Sequence, residues 1–196
     1  VEIGQEEIQR MERMLASLRR LQAPAAALGP VALAPPVARA FVLVREAVAA
    51  KRIRGSVDLP DPCVVVADHD GLVQVLSNLL RNACQAVAPG GRVGVSARHG
   101  DAGELLVDVW DDGPGVPEEQ VPTLFHRWVT SRAADGGSGL GLSVAQDLVV
   151  STFGWTITYV REQGRTCFRI GVPPPRVVTT GGDHRAEAIA HAHPGG

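Results

Sequence analysis

Asn78-Leu-Leu-Arg-Asn82, Asp111-Asp-Gly113-Pro-Gly115, Phe125-His-Arg-Trp128 and Gly137-Ser-Gly139-Leu-Gly141-Leu142 follow one another in that order along the chain. Each piece is weak alone; together they specify a nucleotide pocket with its own way of holding phosphate. The first lies in a helical pattern. Leu72, Val75, Leu76, Leu79, Leu80 and Ala83 recur at helical spacing, Asp68 is a good N-cap, and Pro89-Gly-Gly follows Val87. Asn78 and Asn82 therefore share one face of that helix. An amide in so apolar a helix is costly unless partnered. It either caps a neighbouring loop or offers its oxygen as a hard, neutral ligand to Mg²⁺, which keeps waters and takes few protein ligands beside phosphate oxygens.

The second piece ends a strand pattern, Leu106-Val-Asp-Val-Trp110. A carboxylate there can accept from an exocyclic amine such as the N6 of adenine. Gly113 and Gly115 let the backbone turn and approach a flat ring closely. The plain alternative is an Asp-Gly-Pro-Gly surface turn. In Gly136-Gly-Ser-Gly-Leu-Gly-Leu142 the glycines precede a helix, so free N–H groups and the positive helix end face whatever binds there. That is a phosphate cradle without lysine; the alternative is a flexible loop. Gly141 lies inside the helical segment, where glycine costs ~1 kcal/mol relative to Ala, which argues for a close approach. Phe125 and Trp128 suit a core-facing short helix or the anchors of a lid. Arg132 is the nearest cation to the Gly-rich loop and is placed to reach a terminal phosphate.

Composition narrows the chemistry. The chain has 196 residues, 45% apolar and 20% charged, with a net charge of -2. These are the values of one soluble globular core with some length to spare, and they point to neither nucleic acid nor an anionic membrane as partner. Lys51 is the only lysine. A Walker A loop and a eukaryotic-type kinase each need a lysine in a set place, so both are excluded. Cys63, Cys84 and Cys167 have no C-x-x-C spacing and read as free thiols in a reducing compartment. No apolar run approaches the ~18 residues of a membrane span. The chain opens on Val1-Glu2-Ile3 without Met, and is expected to be a piece of a longer protein.

The organisation predicted is as follows. Residues 1–22 form one helix, with Ile8, Met11, Leu15 and Leu18 as a heptad-like stripe. A Pro/Ala-rich linker covers 23–35, the main domain 36–173, and a disordered tail 174–196. Within the domain, a helix from about Pro36 to Ala50 precedes short strands at 57–59 and 64–66. The long helix ends near Val87, and strands follow at about 92–98 and 104–110. A short helix lies around 118–126, and a longer one runs from near Gly139 to before Gly154. Two last strands, 156–160 and 167–172, meet at a Gly164 turn. His191 and His193 read as a solvated tail rather than a metal site.

On these residues the series resembles the N, G1, F and G2 boxes of the catalytic ATP-binding domain of sensor histidine kinases, in the GHKL or Bergerat-fold superfamily. Gly164-Arg-Thr166-Cys-Phe168 through Pro173 resembles that family's closing strand. The stretch Asn82-Ala-Cys-Gln-Ala and Thr130-Ser-Arg132 look most like the nitrogen-regulator type. The resemblance implies an α+β fold: a two-layer α/β sandwich, a mixed sheet with helices on one face, preceded by one helix of a dimerisation hairpin. It implies ATP and Mg²⁺ as cofactors. Asn82 would be the Mg²⁺ ligand and Asn78 a phosphate contact. Asp111, with Gly113 and Gly115, would bind adenine, supported by Thr166. Gly137, Ser138, Gly139, Leu140 and Gly141 would wrap the phosphates, and Asn78 and Arg132 would position them for transfer.

Residues 1–22 then resemble the second hairpin helix. None of the six histidines stands in the setting of a phosphoacceptor. The expected activity is therefore transfer of the ATP γ-phosphoryl group to a His on a hairpin segment outside this chain, with no autophosphorylation of the isolated chain. Expected partners are that hairpin and a response-regulator receiver domain. A homodimeric, cytoplasmic full-length protein is implied, with or without a membrane anchor, and with no membrane contact by this segment. Trp128 stands where the family usually has Phe, and Phe153-Gly-Trp155 where a Gly-Gly pair is usual. Two other readings share the fold: a non-catalytic adaptor that binds a response regulator, and a Ser/Thr kinase of an anti-sigma antagonist. The intact glycines and Asn82 weigh against the first, and residues 1–22 against the second. In the related ATPases a Glu usually occupies the place of Asn78. Asn cannot take a proton at neutral pH, so transfer is favoured over hydrolysis.

Overall fold

The computed structural model describes residues 28–125 and 141–178. The helix expected over 1–22, residues 126–140 with the expected lid and glycine-rich cradle, and the chain beyond 178 lie outside them. β1 (Gly29–Ala32) leads into α1 (Ala34–Leu43) and α2 (Arg45–Ala50). β2 (Arg54–Asp58) and β3 (Val64–Ala67) precede the long α3 (His69–Ala86). β4 (Arg92–His99) and β5 (Leu105–Asp111) follow, then a 3-10 turn over Glu118–Thr123. α4 (Gly141–Asp147) continues as a π-helical turn over Leu148–Thr152. β6 (Thr156–Glu162) and β7 (Arg165–Val172) form a hairpin, and a 3-10 turn at Pro174–Arg176 leads to β8 (Val177–Val178).

The main sheet has strand order β2-β4-β5-β7-β6. β2 runs parallel to β4, and the other pairs are antiparallel. One face carries Val93, Val95, Val107, Val109, Phe168 and Ile170, which pack with Leu72, Val75, Leu76, Leu79, Leu80 and Ala83 of α3. Alternation along the strands and helical spacing along α3 thus meet in one core. This is the expected α+β architecture, helices on one face of a mixed sheet. On the other face Arg169 forks onto Asp108 at 2.8 and 2.9 Å and also reaches Glu162 at 3.1 Å. Beside them Trp110 lies against Gly94, where an added Cβ would meet the indole at 2.5 Å, and the Arg165 guanidinium stacks 4.2 Å from the ring centroid.

Both ends of α3 are closed by side chains. Asp68 Oδ2 accepts from the Gly71 N–H at 2.6 Å, as its N-cap reading requires. At the other end Lys51 Nζ donates to the carbonyls of Cys84, Gln85 and Val87 at 3.0, 3.0 and 3.1 Å. The one lysine is thus spent on helix carbonyls left over at a C-terminus. Gly71 is required by packing, since a Cβ there would meet the Phe153 ring at 2.9 Å.

Three readings of the sequence need correction. Gly29–Ala32, inside the expected linker, is a strand paired with Val64–Ala67. It lies at a sheet edge, where Pro30 forfeits no essential ladder bond, and composition hid four residues that gain order only from β3. The single helix expected over 36–50 breaks at Val44, whose side chain turns into the core at 3% exposure while Val42 and Leu43 stay outside. Ordered structure also continues past Pro173: Val177 and Val178 pair with Val65 and Val64. Two residues suffice there because β3 offers them a ready edge.

Candidate functional site

Asp111 is the last residue of β5, on the same face as Leu105, Val107 and Val109. Strand alternation therefore carries a carboxylate into the end of an apolar row, where it is 1% exposed. Its Oδ1 accepts from the Gly113 N–H at 2.8 Å. Thr166 stands opposite it on β7, 2% exposed, where its hydroxyl favours the ionised carboxylate. Burial pushes the Asp111 pKa up to about 6; the Gly113 N–H, the Arg161 charge and the Thr166 hydroxyl hold it down, while neighbouring Asp112 adds to the rise. At neutral pH the group is mainly ionised, a buried acceptor with a surplus of negative charge.

The turn after Asp111 is shaped by close approach. A Cβ on Gly113 would lie 2.8 Å from Asp111 Oδ1 and 3.0 Å from the Ala86 carbonyl oxygen at the end of α3. Gly115 adopts φ +87°, the left-handed region that favours glycine. Two side chains of β6 pin this turn. Val116 N–H donates to Tyr159 Oη at 3.2 Å. Arg161 Nη1 donates to the Gly113 carbonyl at 2.9 Å and to Thr166 Oγ1 at 2.8 Å.

Asn78 and Asn82 lie one turn apart on α3, both half-buried. Among the described residues neither amide has a hydrogen-bond partner, so the loop-capping alternative finds no support there. Gly141, the first residue of α4, sits over Asn78: an added Cβ would come to 4.0 Å from Asn78 Cβ and Cγ. That is ordinary contact. Packing among the described residues thus does not demand glycine at 141. From Asn78 to Ala86 the helix rises about 12 Å. One end of this face meets the Asp111 turn, the other meets α4, and Asn82 lies between.

The structure thus joins Asp111, Gly113, Gly115 and Thr166 in one cluster and Asn78 with Gly141 in a second. Gly137, Ser138, Gly139, Leu140, Arg132 and Trp128 lie outside the described residues. Phe125 packs edge-on to Phe168 at 6.1 Å, a core contact. Sequence reading missed Arg161 and Tyr159. Their signal was present: in the Gly164 hairpin Arg161 pairs with Thr166, so a partner of Thr166 has Arg161 as its neighbour. Among the described residues no cluster of three His, Cys, Asp or Glu is suited to a metal ion, and no helix is long and apolar enough to cross a membrane.

A buried carboxylate behind a glycine turn, facing a helix that carries two asparagines without partners among the described residues, is the arrangement of an ATP-binding domain of the lysine-free, Bergerat class. The chain belongs to the histidine kinase-, DNA gyrase B- and HSP90-like ATPase family, whose profile matches residues 67–176. It is 35% identical over 122 residues to the sensor protein KdpD of Escherichia coli, covering 60% of this chain and 13% of that protein. To the sensory histidine kinase/phosphatase NtrB of Salmonella typhimurium it is 35% identical over 139 residues, covering 60% of this chain and 39% of that protein. The catalytic domain of histidine kinase ThkA, solved without nucleotide, superposes with a TM-score of 0.68 at 25% identity, covering 76% of this chain and 97% of that domain. ThkA in complex with the response regulator TrrA shares the fold, with a TM-score of 0.70 at 22% identity over 88% of this chain and 49% of that one. The chain thus spans less than half the length of these two curated relatives.

Proposed function

We propose that this chain is the catalytic part of a two-component sensor kinase and that it transfers the γ-phosphoryl group of ATP to a His on a separate hairpin segment. The observation that carries this is Asn78: an amide beside Gly141, where by resemblance the related ATPases usually place a Glu that takes a proton. The chain's own contribution is then positioning rather than activation of water. Asp111, backed by Thr166, accepts from the adenine amino group. Gly113 and Gly115 let the base lie close to the backbone. Asn78 contacts phosphate, with Gly137, Ser138, Gly139, Leu140, Gly141 and Arg132 assigned the same task by resemblance.

Asn82 fits Mg²⁺: its amide oxygen is neutral, half-exposed and without a partner among the described residues, and this ion keeps most of its sites for water and phosphate oxygens. When bound, Mg²⁺ supplies neutralisation of phosphate charge. The domain boundaries fit the reading if residues 1–22 are half of a dimerisation hairpin and the partners are the His-bearing half and a receiver domain. A cytoplasmic location follows from the same reading.

The test mixes this chain with a His-bearing hairpin from the full-length protein and labelled ATP. Label on the hairpin is expected. Label on this chain alone contradicts the account of the missing acceptor. Equal, negligible heats of Mg-ATP binding for wild type and Asn82→Ala favour the adaptor reading instead.

A further inference from the structure

The core-facing positions of β6 read Ile157, Tyr159, Arg161. The first closes the core; the other two reach the Gly113–Val116 turn. Arg161 is exposed as a residue, yet both protons of its Nη1 are committed, to the Gly113 carbonyl at 2.9 Å and to Thr166 Oγ1 at 2.8 Å. Because Thr166 Oγ1 accepts from Arg161, its own single proton is left to turn toward the Asp111 carboxylate, its partner in the strand register. The result is a directed relay from guanidinium to hydroxyl to carboxylate, in which each bond polarises the next.

The relay governs what Asp111 shows to a ligand. An ionised carboxylate is acceptor-only, so it welcomes a base amino group and opposes a base carbonyl. A protonated one carries a donor and loses that preference. The groups facing Asp111 are few. On its own turn are the Gly113 N–H and Asp112, the latter paired with Arg92 of β4 at 3.0 Å. β7 supplies Thr166, and the buried Cys167 thiol lies on the same strand. α3 supplies the buried Cys84 thiol, which desolvation keeps protonated. β6 supplies Arg161, the one cation among the described residues that acts on Asp111.

We propose that Arg161 is a positioning and specificity-determining residue of the base pocket: by clamping the Gly113 turn and orienting Thr166 it keeps Asp111 an acceptor, and so makes the pocket prefer a 6-aminopurine to a 6-oxopurine. This rests on the reading of Asp111 as the base-binding group. It assigns the reach and fixed in-plane geometry of Arg161 Nη1, whose two protons meet the two acceptors, and not the charge alone.

The test measures ATP and GTP binding by calorimetry between pH 5.5 and 8.5, on the full 196-residue chain. Wild type is expected to lose ATP affinity as Asp111 protonates near pH 6. In Arg161→Met the midpoint of that loss moves up by about one pH unit. ATP affinity at pH 7 falls about tenfold, the equivalent of one charge-assisted hydrogen bond. GTP falls much less, so the ATP:GTP ratio narrows. Tyr159→Phe loosens the same turn without touching the relay; it weakens both nucleotides and moves neither midpoint nor ratio. Equal losses for ATP and GTP with an unmoved midpoint in Arg161→Met overturn the proposal and leave Arg161 a clamp. Should that variant fail to fold, Arg161→Lys carries the test. It keeps the charge but loses the longer reach and the fixed in-plane proton pair of Nη1, so the midpoint stays and the ratio falls; an unchanged ratio overturns the proposal. Asp111→Asn separates the two levels, because wild-type ATP binding in that variant sinks the base-site reading itself.

Discussion

Asp111→Asn should make the nucleotide-free domain more stable while abolishing tight ATP binding. In the fold the carboxyl pKa rises from 3.8 to about 6 because the group is 1% exposed. The native state therefore holds its proton more tightly than the unfolded chain. Stability from this group is greatest below about pH 4, falls as pH rises, and is fully lost above about pH 6. Two pH units at 1.36 kcal/mol each give a cost of roughly 3 kcal/mol for keeping the ion buried at neutral pH. Asn keeps an oxygen for the Gly113 N–H and removes that cost. It leaves Arg161 without its nearby anion and brings an amide donor toward Thr166, losses of about 1 kcal/mol together. The net expectation at pH 7.5 is a gain of about 2 kcal/mol, vanishing near pH 4. Urea unfolding of wild type and variant, followed by circular dichroism from pH 4 to 8 without nucleotide, measures the difference directly. Calorimetry with ATP should show at least a tenfold loss, from a donor now facing the base amino group. A stability difference that is flat with pH, or wild-type ATP affinity in the variant, would refute the reasoning.

Four further outcomes are expected. Asn82→Ala should weaken Mg-ATP binding at least tenfold in calorimetry while thermal unfolding of the free domain stays within about 0.5 kcal/mol of wild type, since its amide has no partner among the described residues. Lys51→Met should destabilise the domain by about 2 kcal/mol in chemical denaturation, because three carbonyls at the end of α3 lose one charged donor. Gly141→Ala meets Asn78 only at 4.0 Å, so it should gain up to about 1 kcal/mol of helix stability and still lose ATP affinity, measured by the same titration; unchanged affinity would show that nothing occupies the space beside Asn78. Gly94→Ala drives a Cβ to 2.5 Å from both the Trp110 ring and Ser56 Oγ, and should lower the melting temperature with a loss of about 1–3 kcal/mol.

The core was legible because periodicity reports burial directly. The helical spacing from Leu72 to Ala83 and the strand read over about 104–110 supply residues that now meet. The asparagine pair was legible for the same reason, as amides placed on one face of that helix. β1 and β8 were not. They are four and two residues long, too short to carry a period, and each exists by pairing with β3. The break at Val44 was also hidden, since no Gly or Pro marks it and the burial of one side chain decides it. Arg161 was passed over because exposed arginines on hairpins are ordinary. Only the strand register brings its Nη1 to Gly113 and Thr166.

The sequence by itself determined the class of the protein: which face of the long helix is buried, which residues are candidates to touch a nucleotide, and that its one lysine lies far from the glycine-rich stretch. Those follow from residue type and spacing, which local geometry converts into position. The tertiary structure alone decided how the pocket is tuned. The burial that lifts the Asp111 pKa, the hydroxyl and guanidinium that restrain it, the end of α3 to which Lys51 is committed and the approach of Gly141 to Asn78 all depend on segments distant in the chain. Electrostatic strength is set by what surrounds a charge, and only the packed fold supplies those surroundings.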